Sequence, residues 1–415
     1  MNKNVYASRI LRSRTNWKGE TMKSKAEDLW LKASVIGSLW ASVEIILGSF
    51  FHNLQLPFAG TLLAIFSVIF IVASQQLWSE TGIIWRAGLI CAIMKSISPS
   101  AVILGPMTGI FLEAIVLELF IFIFGRNLLG YIIAGSIAVL SALAHKIFTL
   151  LLIYGWDSVK ILANLYRYAM KQIRVESINP MDALIILIAG YLILGIFAAI
   201  TGFFIGKKAK SEKTYSKIKI SSTSENPDLF YNLKEYQKYS LWILTINLVY
   251  IVSALFILNN YSLIFGFVAT LIYIGFHALR YKNSFRQFKR PFLWMQLLIL
   301  IILSIFFHSG SEPNISSNFA GLLMGTNMSL RAIIVILGFS AISVELRNPL
   351  VKTLLHKRGL SQLYNSLGLA FSALPSILDN VSKPQNMFKK PFKTIGEILL
   401  HADHLLSIFK DPPNE

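Results

Sequence analysis

The sequence predicts an all-α, polytopic integral membrane protein with about ten transmembrane helices, in a six-span half and a four-span half plus amphipathic helices at the cytoplasmic face. Three observations carry this. Hydrophobic residues make up 54% of the 415-residue chain and charged ones only 14%, far less polar surface than a soluble protein of this length needs. Apolar stretches recur at the length that spans the hydrocarbon as a helix, about 20 residues for roughly 30 Å. They fall in two blocks, about 29–206 and 240–346, on either side of a basic stretch, Lys207-Lys208-Ala209-Lys210…Lys213…Lys217…Lys219. Helices are the form expected because lipid offers the backbone no hydrogen-bond partner, and the alternation of barrel strands is not evident.

In chain order, residues 1–29 form a basic N-terminus, and 30–206 hold six spans near 30–51, 58–78, 82–98, 101–125, 128–153 and 182–205. Residues 207–239 form a basic linker. Residues 240–346 hold four more spans, near 240–258, 262–279, 292–308 and 319–345. After them, 347–415 is expected to form amphipathic coupling helices and a tail; its first part, 347–380, is apolar but punctuated by Pro349, Gly359 and Pro375, too broken for one span and suited to two amphipathic helices near the inner face. These helices fit either a contact with a neighbouring module or a membrane-surface anchor.

Charge placement orients the chain. Lys3, Arg9, Arg12, Arg14, Lys18, Lys23 and Lys25 crowd the N-terminus, Arg280, Lys282, Arg286, Lys289 and Arg290 follow the eighth span, and the tail is basic. The positive-inside rule puts all of these in the cytoplasm, with both termini inside a cell inner (cytoplasmic) membrane. Loop 309–318 has no Lys or Arg and belongs outside. Lys160, Arg167, Lys171 and Arg174 break the pattern by falling on the outer side. Either a short span is miscounted, or these residues lie on an interfacial helix whose apolar positions are Ile161, Leu162, Leu165, Tyr168 and Ala169.

The formal charge of +18 raises nucleic acid as a partner, but the cations flank spans rather than forming one aromatic-studded patch, and anionic membrane lipids account for them. The first 29 residues lack the apolar core of a signal peptide. One cysteine, Cys91, gives no disulfide framework and no thiolate metal cluster. Phosphate-loop, zinc-protease and nucleophile-elbow motifs are absent, so no cofactor is expected and any ATP hydrolysis belongs to a partner. Glu397, His401 and His404 are spaced for one helix face, but beside the stripe Ile395, Ile398, Leu399, Ala402, Leu405, Leu406 and Phe409 they read as its solvated side, and no metal site is expected. Asn314-Ile-Ser and Asn327-Met-Ser match a glycosylation pattern too short to carry weight.

The informative polar residues lie in the first half. Glu44, Arg86, Lys95, Glu113, Glu118, His145 and Lys146 all fall within predicted spans. An ionised group at membrane depth costs several kcal/mol by most estimates, so it pairs or faces a cavity. One reading pairs Glu113 with Lys146 or Lys95 for structure alone. The other makes Glu44, Lys95, Glu113 and Lys146 the lining of a site for a small solute. Glu113 and Glu118 are about 140° apart on a helix, so only one reaches such a site, and Glu113 is the choice. In the second half Arg331 is the main buried charge expected. Ala33, Gly37 and Ala41 recur every fourth residue, a small-residue face suited to internal packing or to docking another membrane subunit.

With these residues in view, the first half resembles the substrate-binding S component of energy-coupling factor (ECF) transporters, whose first helix carries an A-x-x-x-A face. The matching stretch is Ala33-Ser-Val-Ile-Gly37-Ser-Leu-Trp-Ala41, followed by Arg86-Ala-Gly-Leu, Ser98-Pro99 and Gly105-Pro106…Glu113. The second half resembles the T component, best across Gly321…Arg331 to Arg347-Asn348-Pro349 and on to Ala373-Leu374-Pro375. The resemblance implies import of a vitamin-like or cofactor-precursor solute, driven by cytosolic ATPase subunits. T components engage those subunits through short Ala-Arg-Gly motifs, and this chain offers only Lys357-Arg358-Gly359. The chain is thus expected to be a transporter subunit, not an enzyme. A secondary transporter with Glu113 or Glu118 as proton relay is the alternative, followed by an integral-membrane lipid-modifying enzyme.

Overall fold

In the computed structural model the described residues are 3–54, 58–95, 104–174, 179–211, 241–281, 291–308, 318–345, 361–380 and 391–410. They form fourteen helices and no strand. In the first half these are α1 (Lys3–Asn53), α2 (Ala59–Leu77), α3 (Ile83–Lys95), α4 (Leu104–Phe124), α5 (Leu128–Tyr154), α6 (Asp157–Gln172) and α7 (Pro180–Ser211). The second half follows as α8 (Leu241–Asn260), α9 (Leu263–Arg280), α10 (Pro291–Phe307) and α11 (Asn318–Glu345). At the C-terminus come α12 (Ser361–Asn380), α13 (Pro391–Leu400) and α14 (Ala402–Lys410).

Eight of these, in α1, α2, α4, α5, α7, α8, α9 and α11, are long and apolar enough to cross a membrane. The chain is accordingly read as a multi-pass membrane protein. Two of the ten expected spans fall short of that length: α3 has 13 residues and α10 has 17. At 1.5 Å per residue α3 reaches only about 20 Å. The expected boundaries shift elsewhere as well, since α1 runs unbroken through the basic N-terminus and α7 continues through Lys207, Lys208 and Lys210 before the linker.

Turn chemistry sets the helix breaks. Gly125 and Gly155 hold φ of 86° and 79°, a left-handed conformation that ends α4 and α5. Asn127 then caps α5, its side-chain oxygen accepting from the Gly130 N–H at 2.7 Å.

Helix α1 is the hub of the first half, packing on α2, α3, α12 and α14, while α7 closes the far side against α2 and α5. In the second half α11 is the hub for α8, α9 and α10. The halves meet where α11 contacts α5 and where α6 lies on α10 and α11. The C-terminal helices belong to the first half: Leu363, Ala370, Ile395, Ile398, Leu405 and Phe409 complete the core around Trp40 and Phe70. A chain of charges fastens this end. Lys410 reaches Asp28 at 2.8 Å, Asp28 reaches Lys32 at 2.6 Å, and Lys32 pairs onward with Glu80.

Candidate functional site

Helix α3 is wedged between α1 and α4, and small residues make the wedge possible. A Cβ on Gly37 would sit 2.8 Å from Ile90 Cγ2, and one on Gly88 would sit 2.1 Å from the Ala114 methyl. Ala33 and Ala41 are fully buried with Gly37. The small-residue face of α1 is therefore occupied within the chain, chiefly by α3.

Close approach places three of the four expected site residues together. Glu44 on α1 accepts a hydrogen bond from Ser67 Oγ at 3.1 Å, and Ser67 in turn accepts from Trp40 Nε1 at 2.9 Å. Lys95, the last residue of α3, donates to the Glu44 carbonyl oxygen at 2.9 Å and lies 3.4 Å from its carboxylate. Gly48 leaves room for that reach, since a Cβ there would stand 2.8 Å from Lys95 Nζ. With side-chain exposures of 12% and 5%, Lys95 and Glu44 form a buried pair, and removing either partner would strand the other.

Glu113 on α4 is the unbalanced member. It is buried, its Oε1 has no hydrogen-bond partner among the described residues, and the nearby charge it feels is Glu44, of the same sign. Cys91 on α3 is buried within electrostatic range of Glu44, Lys95 and Glu113. A buried polar atom without a partner costs about 1–3 kcal/mol, more when charged. Glu113 Oε1 is thus an acceptor open to a hydrogen-bond donor.

Lys146 is engaged elsewhere. Its Nζ donates to Thr61 Oγ1 at 3.1 Å, and Thr61 is 2.7 Å from Tyr191 Oη, joining α5, α2 and α7. His145 next to it meets Thr108 at 3.0 Å. No contact links Lys146 to Glu44, Lys95 or Glu113 among the described residues, so the Glu113–Lys146 pairing considered from sequence does not form. Thr61 lies in the first turn of α2, Thr108 is the fifth residue of α4, and Lys95 ends α3. Both polar groups thus lie toward the end of the half where α1 finishes.

Glu118 has a separate task. Its carboxylate accepts from the backbone N–H groups of Gly82 at 2.7 Å, Ile84 at 2.8 Å and Trp85 at 3.2 Å, capping α3 from a neighbouring helix. Arg86 closes the same corner, donating to Gly82 O at 2.7 Å with its guanidinium over the rings of Trp85 and Trp30. With three backbone donors, the Glu118 carboxylate is the cap of α3.

The second half holds polar chemistry that the sequence reading passed over. Tyr273 donates to Asn247 Oδ1 at 3.0 Å and stacks on Tyr250 with ring centroids 4.4 Å apart. His277 is fully buried, 4.2 Å from Tyr273 and 5.1 Å from Tyr281 by centroid. The signal was present: Tyr273, His277 and Tyr281 recur at i, i+4 and i+8, one stripe of a helix. These rings fill one another's space, so the group closes the α8–α9 contact. Arg331 lies elsewhere on α11, its guanidinium against Gly155, where a Cβ would be 3.1 Å from Cζ, and within electrostatic range of Asp157.

The stripe at 395–409 breaks at His401, between α13 and α14, and its apolar residues are buried in the first half. No group of three metal-ligating side chains occurs among the described residues. Lys357, Arg358 and Gly359 lie outside the described residues, as do Ser98-Pro99, Arg347-Asn348-Pro349, Asn314 and most of the 207–239 linker.

No family model, curated protein or solved structure matches this chain.

Proposed function

We propose that the chain is a membrane transport subunit whose first half binds a small polar solute beside Glu113, within the cluster of Glu44, Lys95 and Cys91. The observation that carries the reading is the buried Glu113 oxygen without a partner, next to a carboxylate that is already paired. An acid kept at membrane depth at a cost in stability is explained most directly by a donor group that arrives with a ligand. Lys95 and Ser67 hold Glu44 in place, which leaves Glu113 free to engage a cationic or hydrogen-bond-donating ring. Lys146, with Thr61 and Tyr191, would serve a separate, more peripheral contact.

The finer form of the proposal is the ECF arrangement, with a vitamin-like or cofactor-precursor solute and a separate cytosolic ATPase. A partner gripping the segment around Lys357, Arg358 and Gly359 would act on α12, and α12 packs along α1, which carries Glu44. Pull on that segment would then reach the solute site through one helix. The alternative, a secondary transporter with a membrane carboxylate as proton relay, rests on the same oxygen, the buried Glu113 Oε1 without a partner.

The test is purification of the full chain and of Glu113→Gln from cells grown in rich medium, with untargeted mass spectrometry of the retained small molecules and of co-purifying proteins. The proposal expects one compound retained at near-stoichiometric level by the parent and at least tenfold less by E113Q, with E113Q as thermostable as the parent or more so. A stoichiometric ATPase in the parent preparation would favour the ECF form. Equal retention by both proteins, or none by either, would overturn the solute site at Glu113.

A further inference from the structure

Arg331 is a charged residue set in a buried stretch of α11. From Met328 to Val335 every other residue is buried, and Arg331 itself is only partly exposed. Its guanidinium lies on the turn that ends α5. Gly155 there holds φ of 79°, and a Cβ on it would stand 3.1 Å from Arg331 Cζ, 3.2 Å from Nε and 3.4 Å from Nη1. Glycine supplies both the left-handed backbone and the clearance. An arginine of the second half thus reaches the first, at the seam where α11 meets α5 and α6.

What this guanidinium lacks is an acceptor. Its Nε is buried and makes no hydrogen bond among the described residues, and none of their ion pairs includes Arg331. Asp157 lies within electrostatic range, but its close contact is Lys160 at 3.6 Å. The Gly155 carbonyl already accepts from Ser158 Oγ at 2.6 Å and from the Ser158 N–H at 3.3 Å. A charge drawn out of water without a hydrogen-bonded partner is costly, and an anion that supplies oxygens removes that cost.

We propose that Arg331 binds a phosphate-type oxyanion at the seam between the two halves. The planar fork of the guanidinium matches two oxygens of one phosphate, and basic pockets between spans are where lipid headgroups lodge. The seam also lies at a suitable level. Gly155 ends α5 and is followed at once by Trp156, 75% exposed, the residue type that marks the headgroup layer. The same chemistry could come from a phospholipid headgroup or from a soluble phosphate. Bound there, the oxyanion would fasten the α5–α6 corner to α11. The inference goes beyond the solute site and is independent of Glu113.

To test it, the full chain, Arg331→Gln and Lys207→Gln are purified free of lipid in a non-ionic detergent, and thermal unfolding is followed. Lys207→Gln removes a charge of the same sign from α7. Each protein is titrated with phosphatidylglycerol, with diacylglycerol as the phosphate-free control, and with inorganic phosphate against sodium chloride at matched ionic strength. Without phosphate, Arg331→Gln is expected to unfold at or above the parent's midpoint, since it no longer holds an open charge. With phosphate the order inverts: the parent and Lys207→Gln gain stability at concentrations at least tenfold below those Arg331→Gln requires. A gain from phosphatidylglycerol alone identifies a headgroup, and a gain from inorganic phosphate identifies a soluble anion. The proposal fails if neither phosphate source raises the parent's midpoint more than that of Arg331→Gln. It fails equally if Arg331→Gln is less stable than the parent by the same margin with and without phosphate, the mark of an arginine that only packs.

Discussion

The two halves are each organised around one hub helix, and the hubs differ in what they bury. In α1 the apolar window is 72% buried, in α11 56%. The face of α1 combines small residues with a charged pair, since Gly37 admits Ile90 while Glu44 holds Lys95. The face of α11 carries glycines and serines, with Arg331 turned to the α5–α6 corner, and the polar side chains of its neighbours α8 and α9 close on one another as a ring stack. Both halves satisfy the same rule, that helices in lipid associate through close backbone approach and satisfied polar groups. Among the described residues the first half leaves the Glu113 carboxylate oxygen open, while the second leaves His277 Nε2, Asn327 Oδ1 and Arg331 Nε open. The difference lies in the chemistry of the open atoms, an acid in the first half and a ring nitrogen, an amide oxygen and a guanidinium nitrogen in the second.

The largest expected effect disturbs α3 where it wedges between the hub helix α1 and α4. Gly88→Leu drives a side chain into Ala114 and Trp40, and the Ala114 methyl stands 2.1 Å from the new Cβ with its backbone close behind. Such overpacking costs about 1–3 kcal/mol and sometimes more, and here no flexible tip is available to yield. Gly338→Leu in the second half meets the end of the Ile251 side chain at 2.3 Å, an atom that can rotate away. Thermal unfolding in detergent should drop markedly more for the α3 substitution than for the α11 one. Equal losses would mean that the two hubs are packed alike and the contrast is superficial.

Next in size is the charged pair. Lys95→Met leaves the Glu44 carboxylate only the Ser67 hydroxyl and should cost about 1–2 kcal/mol, as should Glu44→Leu, while the double replacement should recover most of the loss. The cycle is read from unfolding midpoints of the three variants. A strongly non-additive result makes Glu44–Lys95 the structural platform of the cluster. Additive, small losses would place Lys95 in water and remove the platform on which the Glu113 reading stands.

Much of this was legible in the sequence, for physical reasons. Apolar runs of span length predict helices because lipid forbids other backbones, and eight of the ten expected spans form helices long enough to cross a membrane. Glu44, Lys95 and Glu113 stood out because charge at membrane depth is rare. What stayed hidden depended on three-dimensional partners. Glu118 differs from Glu113 only in finding the free N–H groups of α3, a meeting set by how two helices cross. Lys146 was grouped with the carboxylates by charge, yet Thr61 and Tyr191 claim it. The C-terminal helices carry a plain apolar stripe, but no periodicity says that its groove lies on α1 and α7 of the first half instead of on the neighbouring second half.

The smallest effect probes whether the second half is as closed as its ring stack suggests. Tyr273→Phe keeps the ring against Tyr250 and His277 and removes only the hydroxyl that donates to Asn247. A net intramolecular hydrogen bond is worth about 0.5–1.5 kcal/mol, and the stranded Asn247 oxygen adds a desolvation cost to that. Asn247 keeps its own Nδ2 contact to the Ile243 carbonyl at 2.9 Å, which limits the damage. A fall of a few degrees in the unfolding midpoint, with retention of any bound solute unchanged, is the outcome expected of a packing group. Loss of solute with little change in stability would move the binding chemistry into the second half and reverse the division of labour between the two.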